Sequence, residues 1–352
     1  MSRTMRAYRI TRWGQAPEIV EVPVPDPGSG EVVVQVAGCG LCHSDIGMTQ
    51  MPREVGEPRG WQMPFTLGHE TAGRIAALGP DVTDFAEGDP VALVSPASCG
   101  HCWYCTRGQD SSCPNGASGR GYGQDGGLAD YVRVTSTRGL IKLNTLDPRT
   151  AGPLTDAGAT AYHAVQRVLP RVTPGGVAVV IGAGGLGSFA VQYLRILTAA
   201  RVVAVDTNQA RLAFAAELGA HDGLGAQGEA VAETLREMSD GRGADAVLDF
   251  VGADATIAAG TAATRPGGAY GLIGAAEGTL DQPWYGGLPK DGEIFTFQGS
   301  NIADLQDVIG LAESGAIRNE VQTFPFEDVA DAYHQLDAGT LRGRAVVVFD
   351  NS

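Results

Sequence analysis

The chain has 352 residues, 43% of them hydrophobic, and a formal net charge of −15. Its length exceeds that of one ordinary hydrophobic core, so two domains are expected. The acidic balance argues against nucleic acid as a partner, because phosphate binding requires a basic face. No apolar stretch reaches the roughly 18–20 residues that span a bilayer, and the start MSRTMRAYRITRWG lacks the apolar segment of a secretory signal. We therefore predict a globular cytoplasmic protein without a membrane partner.

The first part of the chain is β-rich. Segments such as EVVVQVAG, PVALVS and LADYVRV are short and separated by glycine and proline, which is typical of an irregular barrel. This part also carries Cys42 in GCGLCHSD and His69 in TLGHETAG, and Asp156 follows in PLTDAGATAYHAV. A cysteine, a histidine and a carboxylate, with one position left for water, form the composition of a catalytic zinc site. Singly, each has an ordinary alternative as a buried thiol, a core imidazole or a helix cap.

Four cysteines lie within the run CGHCWYCTRGQDSSC, at positions 99, 102, 105 and 113. Four thiolates this close in sequence can surround one tetrahedral ion, and zinc is the usual occupant. Because four thiolates leave no open coordination position, we predict a structural zinc in a lobe at residues 95–115. The alternative is a pair of disulfides, which a chain without a secretory leader disfavours. The predicted ligands are Cys99, Cys102, Cys105 and Cys113.

A nucleotide-binding motif follows. The apolar run VAVVI (177–181) predicts a buried parallel strand, and SFAVQYLRIL predicts a helix. Between them lies a G-x-G-x-x-G pattern in its proper context, with a strand before it and a helix after it. Such glycines permit a tight turn, close approach of a pyrophosphate and close packing of helix on strand. The residues predicted to bind the cofactor here are Gly182, Gly184, Gly185, Leu186 and Gly187.

The next predicted strand, RVVAV (201–205), ends at Asp206, which lies 24 residues after Gly182. An acidic residue at about this distance binds the adenosine ribose hydroxyls and repels a 2′-phosphate, so NAD is favoured over NADP. The alternative role for Asp206 is to cap the following helix, NQARLAFAAEL. Arg211 either covers the adenine or is a solvated helix residue.

Further strands, DAVLDFVG (245–252), GGAYGLIG (267–274) and IFTFQGS (294–300), alternate with helical segments such as EAVAETLREM and ATIAAGTAAT. This alternation predicts an α/β fold with a doubly wound parallel sheet, a Rossmann domain.

Taken together, these motifs resemble those of a zinc-dependent alcohol dehydrogenase of the medium-chain dehydrogenase/reductase superfamily. The matching pieces are GLCHSD, GHE, the cysteine lobe, DGGLADYV, IGAGGLG, Asp206 and the closing RGRAVVVF, in family order over essentially the whole chain. The resemblance implies a GroES-like catalytic domain at 1–157 and 299–352 and an NAD-binding Rossmann domain at 158–298.

The resemblance also implies residue roles. Cys42, His69 and Asp156 take the catalytic zinc positions, the third being cysteine in many relatives. Further roles follow from the matching positions: Asp45 orients His69, Glu70 is a carboxylate near the metal, Ser44 contacts the alcohol, Thr160 contacts the nicotinamide, and His43 and Arg344 lie near the coenzyme pyrophosphate.

The implied reaction is the NAD-dependent oxidation of a primary or secondary alcohol to an aldehyde or ketone, and the reverse reduction. Hydride passes from the zinc-bound alkoxide to nicotinamide C4. Many relatives end the proton relay with a histidine where this chain has Gly47. The proton is then expected to leave through the ribose hydroxyls and water, or with help from His43. The alternatives are a zinc-independent reductase of the same superfamily and a non-catalytic NAD-binding protein.

The substrate is the least determined feature. The segment 47–65, with Trp61 and several methionines, is expected to border the pocket, as are Tyr122 and Trp284. These side chains favour a hydrophobic alcohol or carbonyl compound, and the alternative is that they form a subunit contact or local core. The strand near 294–300 resembles the edge that joins subunits in the family, so we expect a homodimer or homotetramer.

Overall fold

The computed structural model describes residues 3–225 and 229–350. They divide into two compact units: Met1–Ala159, Gly299–Gly315 and Asn319–Ser352 form the first, and Thr160–Gln298 and Ala316–Arg318 form the second. No helix of the described residues is long and apolar enough to cross a membrane.

The strands of the described chain are β1 (Thr4–Ile10), β2 (Glu18–Pro23), β3 (Val32–Gly40), β4 (Phe65–Thr66), β5 (Glu70–Leu78), β6 (Pro90–Leu93), β7 (Gly119–Arg120), β8 (Gly123–Gln124), β9 (Tyr131–Val134), β10 (Leu140–Lys142), β11 (Val177–Ile181), β12 (Arg201–Val205), β13 (Asp222–Leu224), β14 (Ala244–Asp249), β15 (Thr264–Leu272), β16 (Glu293–Thr296), β17 (Val321–Pro325) and β18 (Arg344–Val348). The helices are α1 (His43–Thr49), α2 (Arg53–Gly56), α3 (Pro148–Ala151), α4 (Ala157–Val168), α5 (Gly185–Leu197), α6 (Gln209–Glu217), α7 (Glu229–Glu237), α8 (Asp254–Ala263), α9 (Trp284–Gly287, a distorted turn), α10 (Ile302–Glu313) and α11 (Val329–Asp337).

The first unit is built on a sheet of order β10-β6-β5-β3-β18-β17, with β9 also pairing with β3, and a smaller sheet of order β2-β1-β4. The sequence of β3 is rich in β-branched residues, and Val32, Val34 and Val36 are fully buried. Burying a valine side chain stabilises the fold by about 1.5–3 kcal/mol. The core of this unit therefore lies on β3 and the strands beside it.

The register of three strands brings distant parts of the first unit together. Strands β3 and β5 are antiparallel, with Gly40 opposite Glu70. The chain leaving β3 and the chain entering β5 are therefore neighbours. Strand β18 pairs with the other edge of β3, with Val346 opposite Gly40, and Leu41 N–H donates to Ala345 O at 3.0 Å. The C-terminal strand thus reaches the same point.

The second unit is a parallel sheet of order β13-β12-β11-β14-β15-β16. Strand β11 is buried along its whole length and lies between β12 and β14. The winding direction reverses at β11, and ligands of such sheets bind outside the carboxyl ends of the strands at this switch point. The doubly wound α/β fold expected from the sequence is confirmed.

Some expected elements differ at their ends. The last strand of the second unit was predicted over 294–300, but β16 covers Glu293–Thr296. The structure also corrects the capping alternative for Asp206. The N-cap of α6 is Asn208, whose side-chain oxygen accepts from the N–H groups of Ala210 and Arg211. A side-chain amide two residues nearer the helix takes the capping role, so Asp206 is not the cap.

Candidate active site

The four cysteines of the lobe converge. Their sulfur atoms lie within 4.8 Å of one another, with Cys102 Sγ 3.5 Å from Cys105 Sγ and 3.9 Å from Cys113 Sγ. These separations exceed a disulfide bond of about 2.05 Å and match the edge of about 3.8 Å of a tetrahedron with zinc–sulfur bonds of about 2.3 Å. The geometry favours a zinc site over the disulfide alternative.

The surroundings of the lobe shift the pKa values of two of its thiols in opposite directions. A backbone hydrogen bond from His101, together with the Asn115 side chain, lowers the pKa of the Cys99 thiol to about 5. Burial raises the pKa of Cys105 to about 12. The lobe is anchored by Arg138, whose Nη1 lies 2.7 Å from the buried carboxylate of Asp110. One thiol of the lobe is therefore already an anion at neutral pH without a metal.

The second cluster is formed by Cys42, His69, Glu70 and Asp156, whose ligand atoms also lie within 4.8 Å of one another. His69 Nε2 is 3.5 Å from Asp156 Oδ2, close to the separation of about 3.4 Å expected for a nitrogen and an oxygen on one tetrahedral zinc. The pairing of Gly40 with Glu70 explains why Cys42 and His69 meet.

Asp156 joins them through a helical turn at Gly152–Thr155. A Cβ at Gly152 would overlap the carbonyl oxygen of Glu70, so only glycine lets this turn pack against the two strands. The structure therefore brings together the three residues that the sequence proposed singly.

We call Cys42, His69 and Asp156 the trio. The charged side chains around the trio are unusual because they are buried. Glu70 is 0% exposed; its Oε1 accepts from Arg344 Nη2 at 2.6 Å, whereas Oε2 has no hydrogen-bond partner in the described chain. Burial raises the pKa of Glu70 to about 7, against the opposing effect of Arg344. A buried carboxylate oxygen without a donor, beside a thiol, an imidazole and a second carboxylate, fits a cation at this position.

His69 is 6% exposed, and its second ring nitrogen faces Asp45. Nδ1 lies 3.0 Å from Asp45 Oδ1, a hydrogen-bond distance, although the N–H direction is not well aligned with the oxygen. Burial lowers the pKa of His69, but the charge of Asp45 and hydrogen bonds to Asp156, Asp45 and Cys42 outweigh it, and the pKa is raised well above its ordinary value. Without metal the imidazole is therefore stabilised as a cation, and a metal at Nε2 would replace its proton.

The other residues of this unit that the sequence analysis named differ in their exposure. His43 and Ser44 are exposed in the first turn of α1, next to Cys42. Arg344 is 4% exposed and also donates to Leu41 O at 2.7 Å, so its guanidinium is held against Glu70. Tyr122 is half-buried, and its hydroxyl accepts from Ala97 N–H at 2.6 Å.

Trp61 lies in the core, not at a pocket. It is 6% exposed, packs edge-on against Phe65, and its Nε1 donates to Ala117 O at 2.9 Å. The local-core alternative is therefore correct for Trp61. A tryptophan in a loop sequence carries no periodic signal that separates these two roles.

In the second unit, the glycine-rich turn has the geometry of a dinucleotide site. Gly182 has φ of +85°, which favours glycine. A Cβ at Gly187 would overlap the Gly182 carbonyl oxygen, whereas a Cβ at Gly184 would meet nothing within 4 Å. Gly185 and Leu186 begin α5. The turn thus leaves open space at Gly184 beside a helix N-terminus, which fits a pyrophosphate.

Asp206 lies at the end of β12 and is 8% exposed. Its Oδ2 accepts from Ala183 N–H and its Oδ1 from Asn208 N–H, both at 2.9 Å. Arg211 Nη1 is 3.8 Å from Oδ2. The backbone thus fixes a carboxylate beside the glycine-rich turn. Thr160, buried on α4, and Trp284, 79% exposed on α9, belong to the same unit.

Two features were missed by the sequence analysis. Asp249, fully buried at the end of β14, accepts from Val251 N–H, Gly252 N–H and the Tyr270 hydroxyl. Tyr333 on α11 donates to Asp45 Oδ2 at 2.9 Å. A carboxylate directly after a strand could have signalled Asp249; no local pattern marks Tyr333.

Comparison with known proteins agrees with this geometry. The alcohol dehydrogenase GroES-like domain family matches residues 28–145, and the zinc-binding dehydrogenase family matches residues 185–314. An NAD-dependent alcohol dehydrogenase of Sulfurisphaera tokodaii is 33% identical over 355 residues, covering 98% of this chain and 100% of the relative.

Solved structures show the same likeness. The alcohol dehydrogenase of the archaeon Aeropyrum pernix is 32% identical with a TM-score of 0.90, covering 98% of this chain and 100% of the other. The acetophenone reductase of Geotrichum candidum, solved in complex with NAD, is 26% identical with a TM-score of 0.87, covering 100% and 99% of the two chains.

Proposed function

The chain belongs to the zinc-dependent alcohol dehydrogenases of the medium-chain dehydrogenase/reductase superfamily, and on this premise we propose which residues perform its NAD-dependent reaction. The enzyme interconverts an alcohol and a carbonyl compound. The observation that carries the residue assignment is the convergence of Cys42, His69 and Asp156 with Glu70, with one ligand atom of each within 4.8 Å of the others. Oε2 of Glu70 has no hydrogen-bond partner among the described residues.

Cys42, His69 and Asp156 hold the catalytic zinc, and Cys99, Cys102, Cys105 and Cys113 hold the structural one. When bound, the catalytic zinc supplies a Lewis acid for the substrate oxygen and NAD supplies the hydride acceptor. Asp45 orients His69 through Nδ1, so that Nε2 is left for the metal. Glu70, held by Arg344, places a buried negative charge beside the site.

The substrate proton leaves through the Ser44 hydroxyl at the start of α1. Ser44 is exposed and two residues from Cys42, so it has access both to the metal site and to solvent. Gly47 provides no ionisable group, and a Cβ there would meet nothing within 4 Å. The proton therefore continues through water and ribose hydroxyls or through the exposed imidazole of His43.

NAD binds along the carboxyl ends of the second unit's strands. Gly182, Gly184 and Gly187 shape the turn for the pyrophosphate, and Asp206 accepts hydrogen bonds from the adenosine ribose. The fixed carboxylate repels a 2′-phosphate, in keeping with NAD. Residues proposed to complete cofactor binding are Gly185, Leu186, Arg211, Thr160, His43 and Arg344.

The substrate is proposed to be a hydrophobic alcohol or carbonyl compound, a secondary or aryl one included. Tyr122 supports this, because a Cβ at the neighbouring Gly121 would lie 2.9 Å from the backbone nitrogen of His69. One structural relative is named as an acetophenone reductase. Trp61 no longer contributes to this argument, since it is a core residue.

The remaining proposals concern the setting of the enzyme. A homodimer or homotetramer is proposed from β16, which lies at one edge of the parallel sheet and offers unpaired backbone groups. A cytoplasmic location is proposed from the reduced state that the cysteine ligands require.

The test is a zinc count by elemental mass spectrometry combined with NADH formation from a panel of secondary alcohols. We expect two zinc ions per chain and turnover. Cys42→Ala should keep one ion, lose turnover and still bind NADH. Cys39→Ala is the matched control: this thiol is fully buried three residues away and should be dispensable for both zinc ions. A single ion that remetallation does not raise to two, or an active Cys42→Ala enzyme, would refute the assignment.

A further inference from the structure

The Tyr333 side chain connects the C-terminal helix α11 to the polar residues behind the trio. Its hydroxyl donates to Asp45 Oδ2 at 2.9 Å, and Asp45 Oδ1 lies 3.0 Å from His69 Nδ1. We propose that Tyr333 is a positioning residue for the catalytic metal, acting through the Asp45 carboxylate on the His69 imidazole. The inference rests on the proposed role of His69 as a metal ligand and adds a residue that neither the motifs nor the comparisons mark.

The two oxygens of Asp45 have different environments. Oδ2 accepts from the Tyr333 hydroxyl and from Cys42 N–H at 3.0 Å. Oδ1 lies 3.0 Å from His69 Nδ1 and has no well-aligned donor among the described residues. Asp45 is 0% exposed, so water does not replace a missing donor. Two donors on Oδ2 therefore fix the plane of the carboxylate and direct Oδ1 at Nδ1.

This arrangement determines which ring nitrogen of His69 faces the metal. A carboxylate held at Nδ1 keeps the proton on that nitrogen, and Nε2 then points to the side of Asp156. If Asp45 lost one of the donors on Oδ2, its carboxylate could rotate, and the imidazole would lose its orientation. The expected consequence is faster loss of metal from the trio, with no effect on the cysteine lobe.

Tyr333 is itself well placed to act as a donor. Its ring stacks on that of Tyr8 in β1, with centroids 6.0 Å apart and an interplanar angle of 21°. Burial and the nearby charge of Asp45 raise the pKa of the Tyr333 hydroxyl well above its ordinary value. Burial and the charge of Asp45 therefore favour the protonated hydroxyl, which is the form that donates to Asp45.

The neighbouring tyrosine supplies a matched control. Tyr8 shares the ring stack and is 7% exposed, but its hydroxyl makes no contact with Asp45 among the hydrogen bonds of the described chain. Tyr8→Phe and Tyr333→Phe thus remove the same atom from the same aromatic pair. They differ in whether that atom serves the Asp45 carboxylate.

The experiment measures zinc release from the purified enzyme into an excess of a chromogenic chelator. Wild type should release zinc in two phases. Cys42→Ala lacks the trio site, so the phase that it retains is assigned to the lobe and the other phase to the trio. Tyr333→Phe should accelerate the trio phase by about threefold to tenfold, below the range of about 10–100-fold for direct partners of a ligand. The cysteine-lobe phase should stay as in wild type and Tyr8→Phe.

A double-mutant cycle decides whether Tyr333 acts through Asp45. In an Asp45→Asn background, Tyr333→Phe should cause no further acceleration. The proposal is overturned if Tyr333→Phe leaves the trio phase within twofold of wild type. It is also overturned if Tyr8→Phe accelerates release equally, or if the effect persists in Asp45→Asn. If wild type holds two zinc ions and Tyr333→Phe leaves the trio phase unaltered, only the role of Tyr333 is rejected. If wild type holds one zinc ion, the trio is rejected as a metal site.

Discussion

The two metal-binding clusters of this enzyme are built in opposite ways. The proposed ligands of the lobe come from one short segment, residues 99–113, whereas those of the trio are residues 42, 69 and 156. The proposed ligands of the lobe are thiols alone. The trio is surrounded by charges that are almost inaccessible, since Asp45 and Glu70 are 0% and Arg344 4% exposed.

This difference separates two uses of zinc. A lobe closed by local chain geometry needs the metal to hold its shape, because the short segment has little core of its own. The trio is held by strands β3, β5 and β18 and by the turn at Gly152–Thr155, so strand pairing and packing define its shape. Loss of zinc from the lobe should therefore lower the stability of the protein, and loss of zinc from the trio should lower its activity.

The largest expected effect is on turnover. Cys42→Ala should reduce kcat/KM by about 10³-fold or more, equivalent to about 4 kcal/mol of transition-state stabilisation. The thermal midpoint should change little, because strand pairing holds this region. Steady-state kinetics and calorimetry on the same sample check both. A large fall in the midpoint would show that the trio is also structural and would remove the contrast between the clusters.

In the lobe we expect a substitution to lower stability rather than turnover. Cys105→Ser should lose one zinc ion and lower the free energy of unfolding by about 3 kcal/mol or more, because loss of a bound metal is among the costly changes. Turnover per folded molecule should persist. Denaturant unfolding, with Ser112→Ala as a control beside Cys113, measures the change. Unaltered stability would mean that the lobe folds without its metal.

A smaller difference is expected in the pH dependence of zinc affinity. Zinc displaces protons from its ligands, so affinity falls as pH falls. The lowered pKa of Cys99, about 5, means that this thiol has no proton to release near neutrality. The raised pKa of His69 means that it has one. Zinc binding should therefore displace a proton from His69 in the trio but none from Cys99 in the lobe.

Zinc content at equilibrium with a fixed chelator, from pH 6 to pH 8, checks this on variants with one site each. Cys42→Ala reports the lobe and Cys105→Ser the trio. The logarithm of trio affinity should fall by at least about one unit for each unit by which the pH falls. A trio affinity that does not change with pH would contradict the raised pKa of His69.

The smallest effect concerns the proton path. Gly47 lies in α1, and a side chain at this position meets open space. Gly47→His should therefore fold normally and introduce an ionisation near pH 6.5 into the profile of kcat, with a change in rate of less than about tenfold. Gly47→Gln is the control of similar size. A wild-type profile that already shows such a group, abolished by His43→Gln, would assign the relay to His43.

The sequence was most informative where function depends on neighbouring residues. The bounds of β11 and β12 were predicted to the residue, because buried parallel strands are continuous apolar runs. The helix after the glycine-rich turn was also predicted from its own local sequence. Trp61 could not be assigned, since a single aromatic residue in an irregular segment packs according to its tertiary neighbours.

The two proposed metal sites also differ in how far the sequence predicted them. Spacing alone predicted a site for the four cysteines, because a short chain limits how far apart its thiols can lie. For Cys42, His69 and Asp156 the sequence supplied suitable ligand types and a family resemblance, but no evidence of proximity. Their convergence depends on the register of Gly40 with Glu70 and on close packing at Gly152.

By itself, then, the sequence determined the parallel nucleotide-binding sheet, its glycine-rich turn, the carboxylate after β12 and the cysteine lobe, all of which leave a recognisable pattern within short segments. The tertiary structure alone decided the Glu70–Arg344 pair and the contact of Tyr333 with Asp45. Those contacts join residues separated by most of the chain. The energy of such contacts depends on burial and on exact distances, which only the packed fold defines.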